Sequence, residues 1–247
     1  MEISKKSISM KKNIVFISTS EPNSTTLQYS INSWKKWSYD NDHEFLILDE
    51  NICDDSSFNK YFIFDLLEES NIEYDQILMT NSNSIIHPNA PNIFNLTNNK
   101  LNGTFYDSSY DFLLRNIENY SKYMFDGFTF PYWEYLDTEF LIINNKHKNF
   151  INKVKDFYLK NLHDIDNIKS TFQLNSDQPV FNFLLHQEKI DFNILPYEWN
   201  MQDLLRKEAI NNNNPTLFTN IGWVYQFNFL SSHKNHLMQN TYKKLYQ

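Results

Sequence analysis

Glycine is nearly missing from this chain, with three residues among 247. A phosphate-cradling P-loop and a dinucleotide fingerprint each need glycines at fixed offsets so that the backbone can approach a pyrophosphate, and neither can be written here. Collagen-like architecture fails for the same reason. The single cysteine, Cys53, leaves no internal disulfide and belongs to no metal-ligand spacing. No apolar run approaches the ~18 residues of a membrane-spanning helix. Met1 to Asn13 carries four lysines and no apolar stretch of signal-peptide length, so a cytoplasmic location is expected. Arginine is reduced to Arg115 and Arg206 and alanine to two residues, against 35 asparagines. That bias is the mark of an AT-rich coding genome, and it means that a bare asparagine carries little information. Positive charge is also short: 22 Lys and Arg face 30 Asp and Glu, for a net charge of −8. The electrostatic footprint of a dedicated nucleic-acid binder is therefore missing.

What is present is apolar mass: 41% of the residues are hydrophobic and 17% aromatic, enough to bury a large core. Residues 13–18 read as a buried strand with apolar side chains on both faces, and Asn23 or Ser24 caps a helix whose Leu27, Ile31 and Trp34 share one side. Trp34 is assigned to the core and Trp37 to the helix surface. Residues 44–48 form a second buried strand. Phe58, Phe62 and Leu66 mark a second helix, and residues 76–80 a third strand. This alternation predicts a parallel sheet with right-handed crossovers, whose sites lie beyond the carboxyl ends of the strands, after Ser18, Leu48 and Thr80. Asp49, Asp54 and Asp55, which follow the second strand, read as solvated loop acids. Later segments predict helices over 110–123, 146–162 and 177–186, with strands over 139–144, 192–195 and 222–227. An aromatic-rich loop spans 125–135, and another loop holds Asn211 to Asn214. With no repeat and no linker, the expectation is one α/β domain over 1–247.

The segment Gln76-Ile-Leu-Met-Thr-Asn-Ser-Asn-Ser-Ile-Ile-His-Pro88 resembles the central signature of nucleotide-sugar glycosyltransferases of the GT-A fold, above all the family-8-like group, in which Asp-x-Asp follows a buried strand. Further pieces agree in order along most of the chain. They are the opening strand with Tyr29-Ser-Ile-Asn-Ser-Trp34, the strand Tyr135-Leu-Asp-Thr-Glu-Phe-Leu-Ile-Ile-Asn144, the helix start Ser176-Asp-Gln-Pro-Val180, and Leu195-Pro-Tyr-Glu-Trp-Asn200. The resemblance implies a mixed, mainly parallel sheet with helices on both faces, split into a nucleotide-binding half (13–86) and an acceptor and sugar half (87–247). It implies a nucleotide-sugar donor, a glycan or other hydroxyl acceptor, and a homo- or hetero-oligomer as one option.

Carried over position by position, the resemblance assigns donor binding to Ser18, Thr19, Asn81, Ser82 and Asn83. It places Lys234 and His233 in a basic loop facing the diphosphate. Asp177 and Gln178 take the catalytic positions, and Trp133, Asp137, Thr138 and Glu139 line the sugar and acceptor space. Tyr132, Trp133 and Tyr135 either stack on a sugar or belong to the core. In the family, two carboxylates and a His hold a divalent cation that bridges the donor diphosphate. Here those positions read Asn81, Asn83 and Gln226, so Mn²⁺ or Mg²⁺ would be held only weakly. Thr138 and Glu139 also stand where the family prefers a small residue beside the sugar. Three outcomes stay open: transfer without a metal, weak metal binding by the amides, or a binding-only descendant that partners an active paralogue.

Overall fold

Lys12–Ser18 (β1) alternates Ile14 and Phe16 on one face with Val15 and Ile17 on the other, and all four are buried. A strand covered on both sides must be central. β1 indeed lies between Glu44–Leu48 (β2) and Tyr74–Asn81 (β3), parallel to both, so that Ser18 is level with Leu48 and Asn81. The computed structural model describes residues 11–19, 25–204, 216–228 and 234–247. The crossovers are Thr25–Asp40 (α1) on one face and, on the other, a 3₁₀ stretch Ser56–Phe62 running into Ile63–Glu69 (α2).

Beyond β3 come the short Ser84–Ile86 (β4), Leu101–Phe105 (β5), Tyr110–Met124 (α3) and Leu136–Asn144 (β6). Lys148–Phe172 (α4), Asp177–Gln187 (α5), Phe192–Leu195 (β7), Val224–Gln226 (β8) and Lys234–Tyr246 (α6) follow. Six strands form one sheet in the order β2-β1-β3-β6-β5-β7, and β4 pairs with β8 in a separate ribbon. β6 runs antiparallel to β3 and β5, while β7 is parallel to β5. Ile14, Phe16, Ile77, Met79, Leu141 and Ile143 pack under α2 to α5, and Val15, Ile17, Leu78 and Ile142 pack against Trp34 and Trp37 of α1. The expected sheet, with helices on both faces, is what the chain forms.

Several local expectations change. Trp37 is not on the helix surface: it is fully buried, and its Nε1 donates to the Ala90 carbonyl at 2.9 Å. β2 is an edge strand with Leu48 alone buried, because nothing pairs with its outer side. α4 continues ten residues past the expected end at Leu162, bending at Asn161, whose backbone leaves the helical region. The last strand shrinks to β8 and belongs to the ribbon rather than the main sheet. β5 was not foreseen. Asn211 to Asn214 lie outside the described residues.

Candidate active site

Because β6 is antiparallel to β3 and Thr80 is level with Phe140, the end of β3 and the start of β6 meet at one edge, with Asn81 beside Glu139. Asn81 closes the turn into β4 through its own side chain, as Oδ1 accepts the Asn83 N–H at 2.9 Å. Its Nδ2 donates to Glu139 Oε2 at 2.7 Å. The other Glu139 oxygen faces the Lys60 ammonium at 3.2 Å. Lys60 is buried and also donates to Asp177 Oδ2 at 2.8 Å and to Thr138 Oγ1 at 3.1 Å. Thr138 in turn donates to Asp177 Oδ2 at 2.6 Å. Burial works against the charge on Lys60, but Asp177 and Glu139 outweigh it and hold the ammonium well above the ordinary lysine range.

Asp137, only 2% exposed, is held by three donors. Its Oδ1 accepts from the Glu139 N–H at 3.0 Å and from Gln178 Nε2 at 3.2 Å, and its Oδ2 accepts from Asn200 Nδ2 at 2.7 Å. Burial, reinforced by the neighbouring Glu139 charge, pushes its carboxyl up to about 7. A second cluster closes the opposite wall. α4 ends at Gln173 in the left-handed conformation, which turns the chain so that Ser176 and Asp177 enter α5 facing the loop after β2. There Asp55 Oδ2 accepts from Ser176 Oγ at 2.6 Å and from Lys169 Nζ at 2.7 Å, while Oδ1 accepts from Ser57 Oγ at 2.7 Å. Burial alone would raise Asp55; the bonds from Lys169, Ser176 and Ser57 prevail and hold it below the usual carboxylate range. Asp55 is thus not a solvated loop acid. Between the two clusters lies a cavity of about 290 Å³, lined by Asp55, Tyr106, Asp137, Glu139, Asp177 and Gln178 among others.

The site residues expected from sequence fall into three groups. Asp137, Glu139, Asp177 and Gln178 line the cavity, and Asn81 and Thr138 are bonded directly to that lining. Ser18 is level with Asn81 in the sheet, Thr19 continues from it with its N–H on the Leu48 carbonyl, and Ser82 and Asn83 form the adjoining turn. Trp133 stands apart, 60% exposed in a ring cluster with Tyr132 and Tyr110, whereas Tyr135 is core. Lys234 opens α6 and is absent from the cavity lining, and His233 lies outside the described residues. Sequence reasoning missed Lys60, Asp55, Lys169 and Tyr106.

A divalent ion does not fit the residues that would have to hold it. The Asn81 carbonyl is committed to the turn and its amide nitrogen to Glu139. Gln226 lies opposite Ser84 in the ribbon, buried, with neither amide atom paired among the described residues, so it would offer one neutral oxygen. The nearby carboxylates already enclose Lys60, and no group of three His, Cys, Asp or Glu suited to a metal occurs among the described residues. A dication needs several anionic or strongly dipolar oxygens to replace its hydration. Asn81 and Glu139 are matched: a carboxylate at 81 would oppose Glu139, whereas the amide donates to it.

No protein-family model and no curated protein matches the chain. Among solved structures, a glycosyltransferase involved in glycosylation of the major capsid of PBCV-1 is similar, with a TM-score of 0.63 at 9% identity over 93% of this chain and 99% of that one. This is the GT-A glycosyltransferase fold. The galactosyltransferase LgtC with donor and acceptor sugar analogues (TM-score 0.49, 13% identity, 95% and 96% covered) is also similar. So is mouse xyloside xylosyltransferase 1 (0.44, 8%, 89% and 98%). In this fold the cavity, lined by the starts of β6 and α5 and lying beside the carboxyl end of β3, occupies the carboxyl-end position where open α/β sheets bind ligands.

Proposed function

We propose that the chain transfers a sugar from a nucleotide-sugar donor to a hydroxyl acceptor without a resident divalent ion. The observation that carries this reading is the continuous polar chain Asn81–Glu139–Lys60–Asp177 at the sheet end, bordering a cavity of sugar-binding size in a GT-A fold. In this reading residues 13–86 hold the nucleotide, with Ser18, Thr19, Ser82 and Asn83 nearest to it, and residues 87–247 hold sugar and acceptor. Asp177 and Gln178 orient the sugar, and Lys60 fixes the Asp177 carboxylate so that it need not reorganise as the reaction proceeds. Trp133 and Tyr132 offer faces to an acceptor glycan. In the transfer, the bond from the anomeric carbon to the phosphate oxygen breaks. A bond from that carbon to the acceptor oxygen forms, and the acceptor proton leaves to a base. The negative charge gathering on the diphosphate falls to Lys234 with His233, since the amides at 81, 83 and 226 supply none.

A thermal-shift screen of nucleoside diphosphates and their sugar derivatives, in Mn²⁺ and in chelator, tests this. One donor class should raise the melting temperature by several degrees, equally in both conditions, because a ligand that binds only the native state stabilises it by mass action. Stabilisation that requires Mn²⁺ would overturn the metal-free assignment, and stabilisation by none of them would overturn glycosyl transfer. Donor binding with neither transfer nor donor hydrolysis on a broad acceptor panel would turn the reading to a binding-only descendant.

A complementary result is expected from Asn81→Asp combined with Asn83→Asp. The new carboxylate at 81 faces Glu139 Oε2 where the amide donated at 2.7 Å. The double variant should therefore be less stable than the native chain in chelator, by about 1–3 kcal/mol. It should gain calorimetrically detectable Mn²⁺ binding that the native chain lacks. Tight Mn²⁺ binding by the native chain would defeat this account of the site.

A further inference from the structure

Among the described residues, the cavity wall is rich in anionic acceptors and leaves no cation free. Among the described residues it presents four carboxylates, Asp55, Asp137, Glu139 and Asp177, and one ammonium, Lys169. Lys169 is held by Asp55 at 2.7 Å. Lys60, just behind the wall, is held by Asp177 and Glu139 at 2.8 and 3.2 Å. Among the described residues two acids therefore remain in excess, and Asp137 has no salt-bridge partner there, only the Glu139 N–H and the amides of Gln178 and Asn200. A second, independent feature points the same way. Gln178 lines the cavity nine-tenths buried, and its Oε1 has no donor among the described residues, nor has the Oδ1 of the fully buried Asn200 beside it. The site thus asks its ligand for hydrogens.

We propose that this cavity selects a hydroxyl- or amino-bearing sugar and rejects carboxylate-bearing ones, with Asp137 and Glu139 as the residues that set the discrimination. The proposal rests on the glycosyl-transfer reading and narrows it to a substrate class. A hydroxyl or ammonium donates to the excess carboxylates, whereas a uronate carboxylate would enter beside Asp137 and Glu139 with no unpaired cation among the described residues to meet it. The wall already resists the charges it carries, since burial and Glu139 hold the Asp137 carboxyl up to about 7.

The test uses donors matched in nucleotide and differing at one carbon: uridine diphosphate carrying glucose, glucosamine or glucuronic acid, and guanosine diphosphate carrying mannose or mannuronic acid. The bare diphosphates serve as controls. Affinity is read by calorimetry at pH 8 in chelator. In the pair whose nucleotide binds, the uronate should bind at least about tenfold more weakly than the neutral hexose. The amino sugar, where its nucleotide is the one that binds, should match or exceed the hexose. Asp137→Asn should narrow the uronate gap, and Glu139→Gln serves as the second variant if the first fails to fold. A uronate that binds as well as its hexose, with the bare diphosphate also binding, overturns the specificity and leaves glycosyl transfer standing. Binding of none of these, the bare diphosphates included, overturns both.

Discussion

Lys60→Met should lower stability by about 3–5 kcal/mol at pH 8, because it leaves the buried Asp177 and the half-buried Glu139 with no cation between them. For a chain of this size that corresponds to a fall in melting temperature of roughly 10 °C. The pH dependence separates this from a loss of packing. In the native chain the Lys60 pKa is raised, so its contribution is fully present below the ordinary lysine value of 10.5 and is lost only as pH climbs through the raised one. Across pH 5–8 the contribution of the Lys60 charge is therefore constant. In the variant the stranded carboxylates bind protons more tightly folded than unfolded, so its stability should recover towards pH 5. Adding Asp177→Asn to Lys60→Met should return part of the loss at pH 8. Urea unfolding of the three proteins at both pH values reads this directly. An equal deficit at pH 5 and pH 8 would mean that the lysine serves as aliphatic filling rather than as a charge.

Lys60 also shows why part of the site was not legible in the sequence. The spacing of Phe58, Phe62 and Leu66 suggested α-helical turns with a solvent face, on which a lysine would be unremarkable. The chain instead winds residues 56–62 as a 3₁₀ stretch with three residues per turn, and this buries Phe58, Asn59, Lys60 and Tyr61 together. Asp55 was misread because its partners, Lys169 and Ser176, are more than a hundred residues away and no local pattern announces them. β5 escaped notice because Leu-Asn-Gly-Thr-Phe is not an apolar run; it pairs on both edges and is buried by its neighbours, not by its composition. By contrast, β1 and β3 are central strands and carry the continuous apolar runs that such strands must have. The rule that sites lie beyond carboxyl ends placed Asn81 next to the cavity without any information from its side chain. Asp137, Glu139, Asp177 and Gln178 came from the resemblance alone, and the structure brings those four to the lining of one cavity.

Asp137→Asn should reverse the usual expectation for removing a buried, hydrogen-bonded carboxylate and stabilise the protein at pH 8. The Asp137 carboxyl is pushed up to about 7 from an ordinary 3.8, chiefly by burial and then by Glu139. A carboxyl raised in the folded state favours folding only while protonated. Its contribution is present below the unfolded value and is lost as pH rises through the folded one. Between pH 5 and pH 8 this should remove roughly 2–3 kcal/mol of native stability. Asparagine does not titrate, so the variant loses nothing over that interval. It can also be accommodated. Its Oδ1 can keep the Glu139 N–H, and its Nδ2 can donate to Asn200 once that amide turns over to present the Oδ1 that now has no partner. The difference in unfolding free energy between variant and native chain should therefore grow in the variant's favour from pH 5 to pH 8, while acid unfolding below pH 4, governed by depressed groups such as Asp55, stays common to both. Parallel stability profiles across pH 5–8 would show that Asp137 is ionised throughout and that Gln178, Asn200 and the Glu139 N–H suffice to hold the charge in the cavity wall.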